Sequence, residues 1–210
     1  MNLNLTGKNA FVGGGSKGIG LASAVELALL GANVIIASRS EEDLKVAIKL
    51  LDIAKGQTHD YLVVDYSNLP KLQIKVEQLA LEKKGIQILV NNTGGPAGGP
   101  IKDATSSEFI AAFNNHLLAN HLLVQTLVPG MQKSNYGRVI NIISTSVKIP
   151  LNGLGVSNTI RGAVASWAKT MANELGAFGI TVNNVLPGAT ATERLESIIK
   201  NKAKKIAKEE

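Results

Sequence analysis

The chain has 210 residues, 45% of them apolar and 4% aromatic, with 21 glycines, 6 prolines and no cysteine. That length suits a single domain around one sizeable core, and the composition excludes a disordered, collagen-like or disulfide-stapled protein as well as thiolate metal sites. The formal charge of +6 is spread along the sequence without a basic run interleaved with aromatics, which argues for a solvated basic surface and an anionic small ligand and against a nucleic-acid partner.

Asn9 to Gly13 is a short apolar run that reads as a strand, followed by the turn Gly13-Gly-Gly-Ser-Lys-Gly-Ile-Gly20 and a helical pattern over 17–31. The alternation then repeats, with strands at Val34 to Ala37, Tyr61 to Val64, Ile86 to Asn91, Val139 to Ile143 and Thr181 to Leu186, and helical patterns over 41–55, 69–84, 105–133 and 157–178. Strands that alternate with helices specify successive βαβ units and a parallel sheet. Their near-continuous Val, Ile and Leu content predicts six strands buried on both faces. Gly31, Gly56, Gly85 and Gly179 fall just past four helix ends, where glycine takes a left-handed backbone at least cost. In the last helix Ile160, Ala163, Val164, Trp167, Ala168, Met171 and Leu175 recur at spacings of three and four, an apolar stripe suited to sheet packing or a subunit interface. The start, Met1 to Lys8, lacks an apolar stretch of signal-peptide length and no segment approaches the ~20 apolar residues that span a bilayer, so a cytoplasmic protein with no membrane partner is expected.

The glycine-rich turn joins the first strand to the first helix, so backbone N–H groups and the positive helix end converge on an anion site. Two dinucleotide frames fit it, Gly13-x-Gly15-x-x-Gly18 and Gly14-x-x-x-Gly18-x-Gly20. About 20 residues beyond, where a carboxylate would accept from the ribose hydroxyls of NAD, the sequence reads Ile36-Ala-Ser-Arg-Ser40. Ser38 and Arg39, with Lys17 as a second cation, suit a 2′-phosphate, so NADP is favoured over NAD.

Three further motifs keep suitable separations: Asn91-Asn-Thr-Gly94 after the fourth strand, Gly137-Arg-Val-Ile-Asn-Ile-Ile-Ser144 along the fifth, and Pro187-Gly-Ala-Thr-Ala-Thr192 after the sixth. With the second glycine frame they resemble the short-chain dehydrogenase/reductase family, in its 3-oxoacyl-(acyl-carrier-protein) reductase-like branch, over residues 5 to about 195. The resemblance implies a doubly wound, Rossmann-like α/β domain over 1–192, with strand order 3-2-1-4-5-6 and the ligand at the carboxyl ends of the strands. It implies cofactor contacts from Gly14, Ser16, Lys17, Gly18, Ile19, Gly20, Ser38 and Arg39, from Asp65 at the adenine, and from Asn91, Thr93 and Gly94. Pro187, Gly188, Thr190 and Thr192 would hold the nicotinamide, and the two long helices would form a homodimer or homotetramer. Family members continue through a substrate-covering helix pair to a seventh strand, whereas the 193–210 segment, with Lys200, Lys202, Lys204, Lys205 and Lys208, is expected to supply only the start of that cover and to leave the sixth strand as an edge.

The family works on a carbonyl or secondary alcohol with Asn, Ser, Tyr and Lys. Here the serine position is Ser144, but the tyrosine position is Ser157, the lysine position is Arg161 and the asparagine position falls on His116. A serine hydroxyl is a far weaker acid than a phenol and guanidinium stays charged throughout. Arg161 keeps donors for ribose hydroxyls, so cofactor binding is expected to survive, and His116 has the side chain suited to general acid work. Two functions follow: an NADP-dependent oxidoreductase acting on a small-molecule carbonyl, with Ser144 on its oxygen and His116 or a water as proton source, or a catalytically impaired NADP(H) sensor or subunit partner.

Overall fold

The computed structural model describes residues 3–193 together with Leu195, Glu196, Ile199, Lys200 and Ala203. Apart from Lys200, the lysines expected to solubilise the 193–210 segment lie outside the described residues. Six parallel strands, β1 (Asn9–Gly13), β2 (Asn33–Ser38), β3 (Asp60–Val63), β4 (Ile88–Asn91), β5 (Gly137–Ile142) and β6 (Ile180–Val185), form one sheet in the order β3-β2-β1-β4-β5-β6. The helices are α1 (Gly18–Leu29), α2 (Glu41–Ala47), α3 (Leu69–Glu82), α4 (Ser106–Phe113), α5 (Ala119–Lys133) and α6 (Gly155–Leu175).

Two apolar cores sandwich the sheet. Phe11, Ile35, Leu89, Val139 and Val182 meet α3, α5 and α6 on one face, while Val12, Val34, Ile36, Ile88 and Val90 meet α1 and α2 on the other. The chain winds outward from β1 in one direction to β3 and from β4 in the other to β6. The order therefore reverses between β1 and β4, and the crevice opened there at the carboxyl ends is where such a fold takes its ligand. The apolar stripe of α6 is sheet packing: Ala168 and Leu175 are buried in the first core with Trp167 and Met171 against it. The Trp167 indole also donates to Nδ1 of His121 on α5 at 3.3 Å.

Three expectations are corrected. β3 is only half-buried and β6 alternates buried with exposed residues, so the burial on both faces expected of all six strands does not extend to the two edges. The helix expected over 41–55 stops at Ala47 and a single 3₁₀ turn, Ile48–Leu50. Beyond it Asp52 accepts from the Ala54 N–H at 3.0 Å and Gln57 accepts from that of Lys55 at 2.8 Å while donating to the Ala28 carbonyl at 2.7 Å. These side chains offer the backbone alternatives to helix, so Gly56 closes a loop turn and caps no helix. The helix expected over 105–133 is interrupted by a π turn, Asn114–Leu118, in which the Ala119 N–H reaches back to the Asn114 carbonyl. Asn114 and Asn115 are weak helix formers, and the wider turn carries His116 inward to 2% exposure.

Candidate active site

The glycine turn owes its shape to what presses on it. Gly14 has φ of +55°, and a Cβ there would lie 2.7 Å from Nδ2 of Asn92. Asn92 is placed there because it donates to the Gly13 carbonyl at 3.1 Å, bracing the turn from the end of β4. A Cβ on Gly20 would collide with the Gly14 carbonyl, so α1 can seat against the turn only with glycine at that position. At its N-cap, Lys17, α1 has no side-chain cap, and its first turn holds no acidic residue. Its leading N–H groups and positive end thus face the crevice uncompensated, which favours an anion.

That crevice holds a cavity of about 1010 Å³, lined among others by Gly14, Ser16, Lys17, Ser38, Arg39, Asp65, Thr93 and Gly94. These eight were expected from the sequence, and they fit a dinucleotide in size, in the backbone cradle and in charge. Lys17 lies 3.2 Å from Asp43 and 4.0 Å from Glu193, both also on the cavity wall, so an incoming phosphate competes for it with two carboxylates. Asp65 accepts the backbone and hydroxyl of Ser67 at 2.9 and 2.8 Å, and these bonds, with a smaller contribution from Arg39, hold its carboxyl below the usual range.

Others of the expected cofactor residues lie off this cavity. Gly18, Ile19 and Gly20 form the first turn of α1, and Ile19 packs into the second core. Asn91 is 1% exposed and its amide donates to Asn141 at 2.8 Å, which in turn donates to Asn184 at 3.0 Å. The three asparagines stand in register on β4, β5 and β6, a polar ladder inside the sheet. Past β6, Pro187 accepts from the Thr145 N–H at 3.3 Å, Gly188 accepts from the Thr190 hydroxyl at 3.3 Å, and Thr192 lies against Gly18. Sequence reasoning missed Tyr66, Asn92, Asn115 and Glu193. Asn92 and Tyr66 were each next to a chosen residue, and Asn115 precedes His116, but neither Asn115 nor Glu193 belongs to a motif. Burial pushes the Tyr66 hydroxyl well above the ordinary phenol range, so this tyrosine is no substitute for the one the family keeps on α6.

The catalytic candidates gather around the ends of β4 and β5. Ser144 follows β5 and its Oγ accepts from the Ser146 N–H at 3.1 Å. Arg161, 8% exposed on α6, donates from Nη1 to the carbonyl of Ile142 at 3.0 Å, which ties α6 to the strand that presents Ser144. Ser157, one turn earlier on the same helix, is 9% exposed. His116 meets Thr93, two residues past the ladder asparagine of β4, with 2.7 Å between Nδ1 and Oγ1. Ser144, Ser157 and Arg161 do not line the large cavity, and His116 faces a second one, of about 160 Å³, that shares Gly94, Gly95 and Asn115 with it. Among the described residues no group of three or more His, Asp and Glu could hold a metal ion, and no helix is long and apolar enough to cross a membrane.

A doubly wound parallel sheet with an uncapped helix end behind a glycine turn defines a dinucleotide-binding protein. Residues 8–203 match the short chain dehydrogenase family, and the chain belongs to this family of oxidoreductases. It is 32% identical over 193 residues to the 3-oxoacyl-(acyl-carrier-protein) reductase of Haemophilus influenzae, covering 91% of this chain and 78% of that one. It is 31% identical over 189 residues to inactive hydroxysteroid dehydrogenase-like protein 1 of Homo sapiens, covering 89% of this chain and 57% of that one. A metagenomic short-chain oxidoreductase solved in complex with NADP superposes with a TM-score of 0.80 at 29% identity, covering 89% of this chain and 84% of that one.

Proposed function

We propose that this chain is an NADP-dependent oxidoreductase that exchanges a hydride between the nicotinamide and a small-molecule carbonyl or secondary alcohol, as its 3-oxoacyl-(acyl-carrier-protein) reductase relatives are named for doing. The observation that carries the reading is the cavity of about 1010 Å³, with Lys17 and Arg39 on its wall, beside a buried His116 that Thr93 holds at 2.7 Å. NADP(H), when bound, supplies the hydride. The glycine turn and the start of α1 would hold its diphosphate, Lys17, Ser38 and Arg39 its 2′-phosphate, and Asp65 its adenine. Thr190 and Thr192 would hold its carboxamide. Arg161, which donates from Nη1 to Ile142, would also offer its guanidinium to the ribose hydroxyls. Ser144 donates to the substrate oxygen, Ser157 adds a hydrogen bond, and His116, directly or through a water, moves the proton that a phenol moves elsewhere in the family. The same reading has the protein act in the cytoplasm as a homodimer or homotetramer built on the long helices α5 and α6.

A second reading is supported by Ser157 and Arg161 themselves: with no phenol on α6 and the guanidinium engaged by Ile142, the chain would bind NADP(H) as a sensor or subunit partner. NADPH should raise the melting temperature more than NADH, and Arg39→Ala should cut that preference by about tenfold or more in affinity. NADPH oxidation over a panel of carbonyls separates the two readings. Loss of about a hundredfold or more in kcat for Ser144→Ala and for His116→Ala supports the enzyme. Tight binding without turnover supports the sensor, and no stabilisation by either cofactor ends both.

A further inference from the structure

Of the chain's asparagines only Asn152 is followed by a glycine. The pair takes the two central places of a turn that the Leu154 N–H closes on the Leu151 carbonyl at 3.3 Å, with Gly153 at a φ of +73°, as the third residue of a type II turn requires. Both residues are exposed, and a Cβ on Gly153 would meet nothing within 4 Å. Among the described residues neither the Asn152 amide nor the Gly153 N–H has a hydrogen-bond partner. The peptide between them can therefore swing while the ends of the turn stay in place, which brings the Gly153 nitrogen against the side-chain carbonyl carbon of Asn152. Glycine adds no side chain to block that approach. The ends, by contrast, are tied down. The Leu151 carbonyl also accepts from Nδ2 of Asn158 on α6 at 2.9 Å. The Gly153 carbonyl accepts from the Gly99 N–H at 2.7 Å and the Gly99 carbonyl from the Gly155 N–H at 3.2 Å, so the turn is clipped to Gly99 just where α6 begins. There α6 seats directly on Ile101, which a side chain on Gly155 would strike.

We propose that Asn152 is a site of spontaneous modification, converted in the folded protein to isoaspartate and aspartate, and that the isoaspartate form loosens the start of α6. The Gly153 nitrogen gives up its proton to solvent base and bonds to Cγ of Asn152. The bond from Cγ to the side-chain nitrogen breaks, that nitrogen takes a proton from solvent and leaves as ammonia, and a succinimide ring remains. Water then opens the ring. Cleavage between Cγ and the nitrogen gives aspartate, and cleavage at the main-chain carbonyl gives isoaspartate, in which the chain runs through Cγ. One water is consumed and one ammonia released, with no oxidation or reduction. Either product carries a negative charge that asparagine lacks. Isoaspartate also lengthens the main chain by one carbon, about 1.5 Å, enough to pull the Gly153 carbonyl out of range of the Gly99 N–H. The helix that begins there carries Ser157 and Arg161, and its Val156 lines the cavity that His116 faces. The modification thus acts beside the catalytic candidates, far along the chain from the glycine turn, and it stands whether or not the protein turns over a carbonyl.

The test uses the full chain, freshly purified and then held at about 37 °C and about pH 8.5, and needs no cofactor or substrate. The peptide that spans Asn152 should gain about one dalton and accept a labelled methyl group from protein isoaspartate methyltransferase. Conversion should be about tenfold faster or more than at about pH 6.5, because the attacking nitrogen must lose its proton. It should also run within about fivefold of its rate in the same chain unfolded by urea, because the fold leaves the turn open. The aged chain should melt about 2–4 °C below the fresh one. Asn152→Gln, whose longer side chain closes its ring slowly, should stay unmodified and keep its melting temperature through the same incubation. Asn152→Asp, which brings the charge without the longer main chain, should melt within about 1 °C of the wild type. A folded chain that resists conversion while the urea-unfolded chain converts overturns the site, and so does conversion at other asparagines with Asn152 intact. Isoaspartate formed at Asn152 without a fall in melting temperature, or the whole fall reproduced by Asn152→Asp, overturns the effect on α6.

Discussion

The two halves of the sheet have been treated differently by this sequence. In the half from β1 to β3 the glycine turn, Lys17, Arg39 and Asp65 surround one cavity, with the residues that bind and the residues that shape the backbone in adjacent positions. In the half from β4 to β6 the polar groups have local partners: Arg161 with Ile142, His116 with Thr93, and three asparagines with one another. Binding a dinucleotide asks mainly for backbone N–H groups and surface cations, which tolerate little change in the turn. Moving a proton asks for one acid in one place, and that acid can be relocated if its surroundings are rebuilt. The contrast predicts that substitutions in the first half act on affinity and those in the second on turnover or stability.

The largest effect should come from Gly14→Val. It combines a β-branched side chain at a φ of +55° with a Cβ placed 2.7 Å from Asn92. The turn must open and the N–H cradle goes with it, so affinity for NADPH should fall by about a hundredfold or more. Isothermal titration measures this directly. Retention of affinity would mean that the glycine turn is not the diphosphate site, and the division between the halves would dissolve.

A smaller effect is expected from Asn184→Ala in the second half. The Nδ2 group of Asn141, itself 0% exposed, loses its acceptor at the sheet edge, which should cost about 1–2 kcal/mol and lower the melting temperature by about 2–6 °C. NADPH affinity should stay within about threefold of the wild type, because the ladder lies off the cavity wall. A large loss of affinity instead would show that the ladder sets the position of the nucleotide half as well.

The same contrast explains what could be read before the structure. The six strands and the five helical patterns follow from periodicity, because burial on a parallel sheet leaves a strong apolar pattern, whereas the strand order follows from the resemblance to the family; on the cavity wall Gly14 and Lys17 follow from the contiguous glycine motif and Arg39 from its place at the end of the second strand. The end of α2 was misjudged because side-chain bonds from Asp52 and Gln57, and not the apolar pattern, stop the helix. The ladder was missed because Asn91, Asn141 and Asn184 are 50 and 43 residues apart, and only register on three strands unites them. Likewise the motif comparison located Thr93 and His116 separately. Their contact depends on the π turn, for which the sequence offers no pattern beyond two adjacent asparagines.

The smallest predicted effect concerns Asp65, whose charge belongs to the nucleotide half. Its carboxyl is held below its unfolded range by the Ser67 backbone and hydroxyl first and by Arg39 last. A depressed carboxylate stabilises the fold at every pH above its unfolded pKa, near 3.9, and that contribution disappears as pH falls through the folded value. Asp65→Asn keeps an acceptor for Ser67 while removing the charge. The variant should therefore melt slightly below the wild type from pH 5 to pH 8, and the gap should close below about pH 3.5. Because the group is exposed, solvent screening keeps the gap small and added salt should shrink the part due to Arg39. A gap that persists at low pH would mean that Asp65 acts through shape and not charge. A gap that closes leaves its charge constant across neutral pH, so a midpoint in the turnover profile between pH 5 and 8 would come from a group other than Asp65.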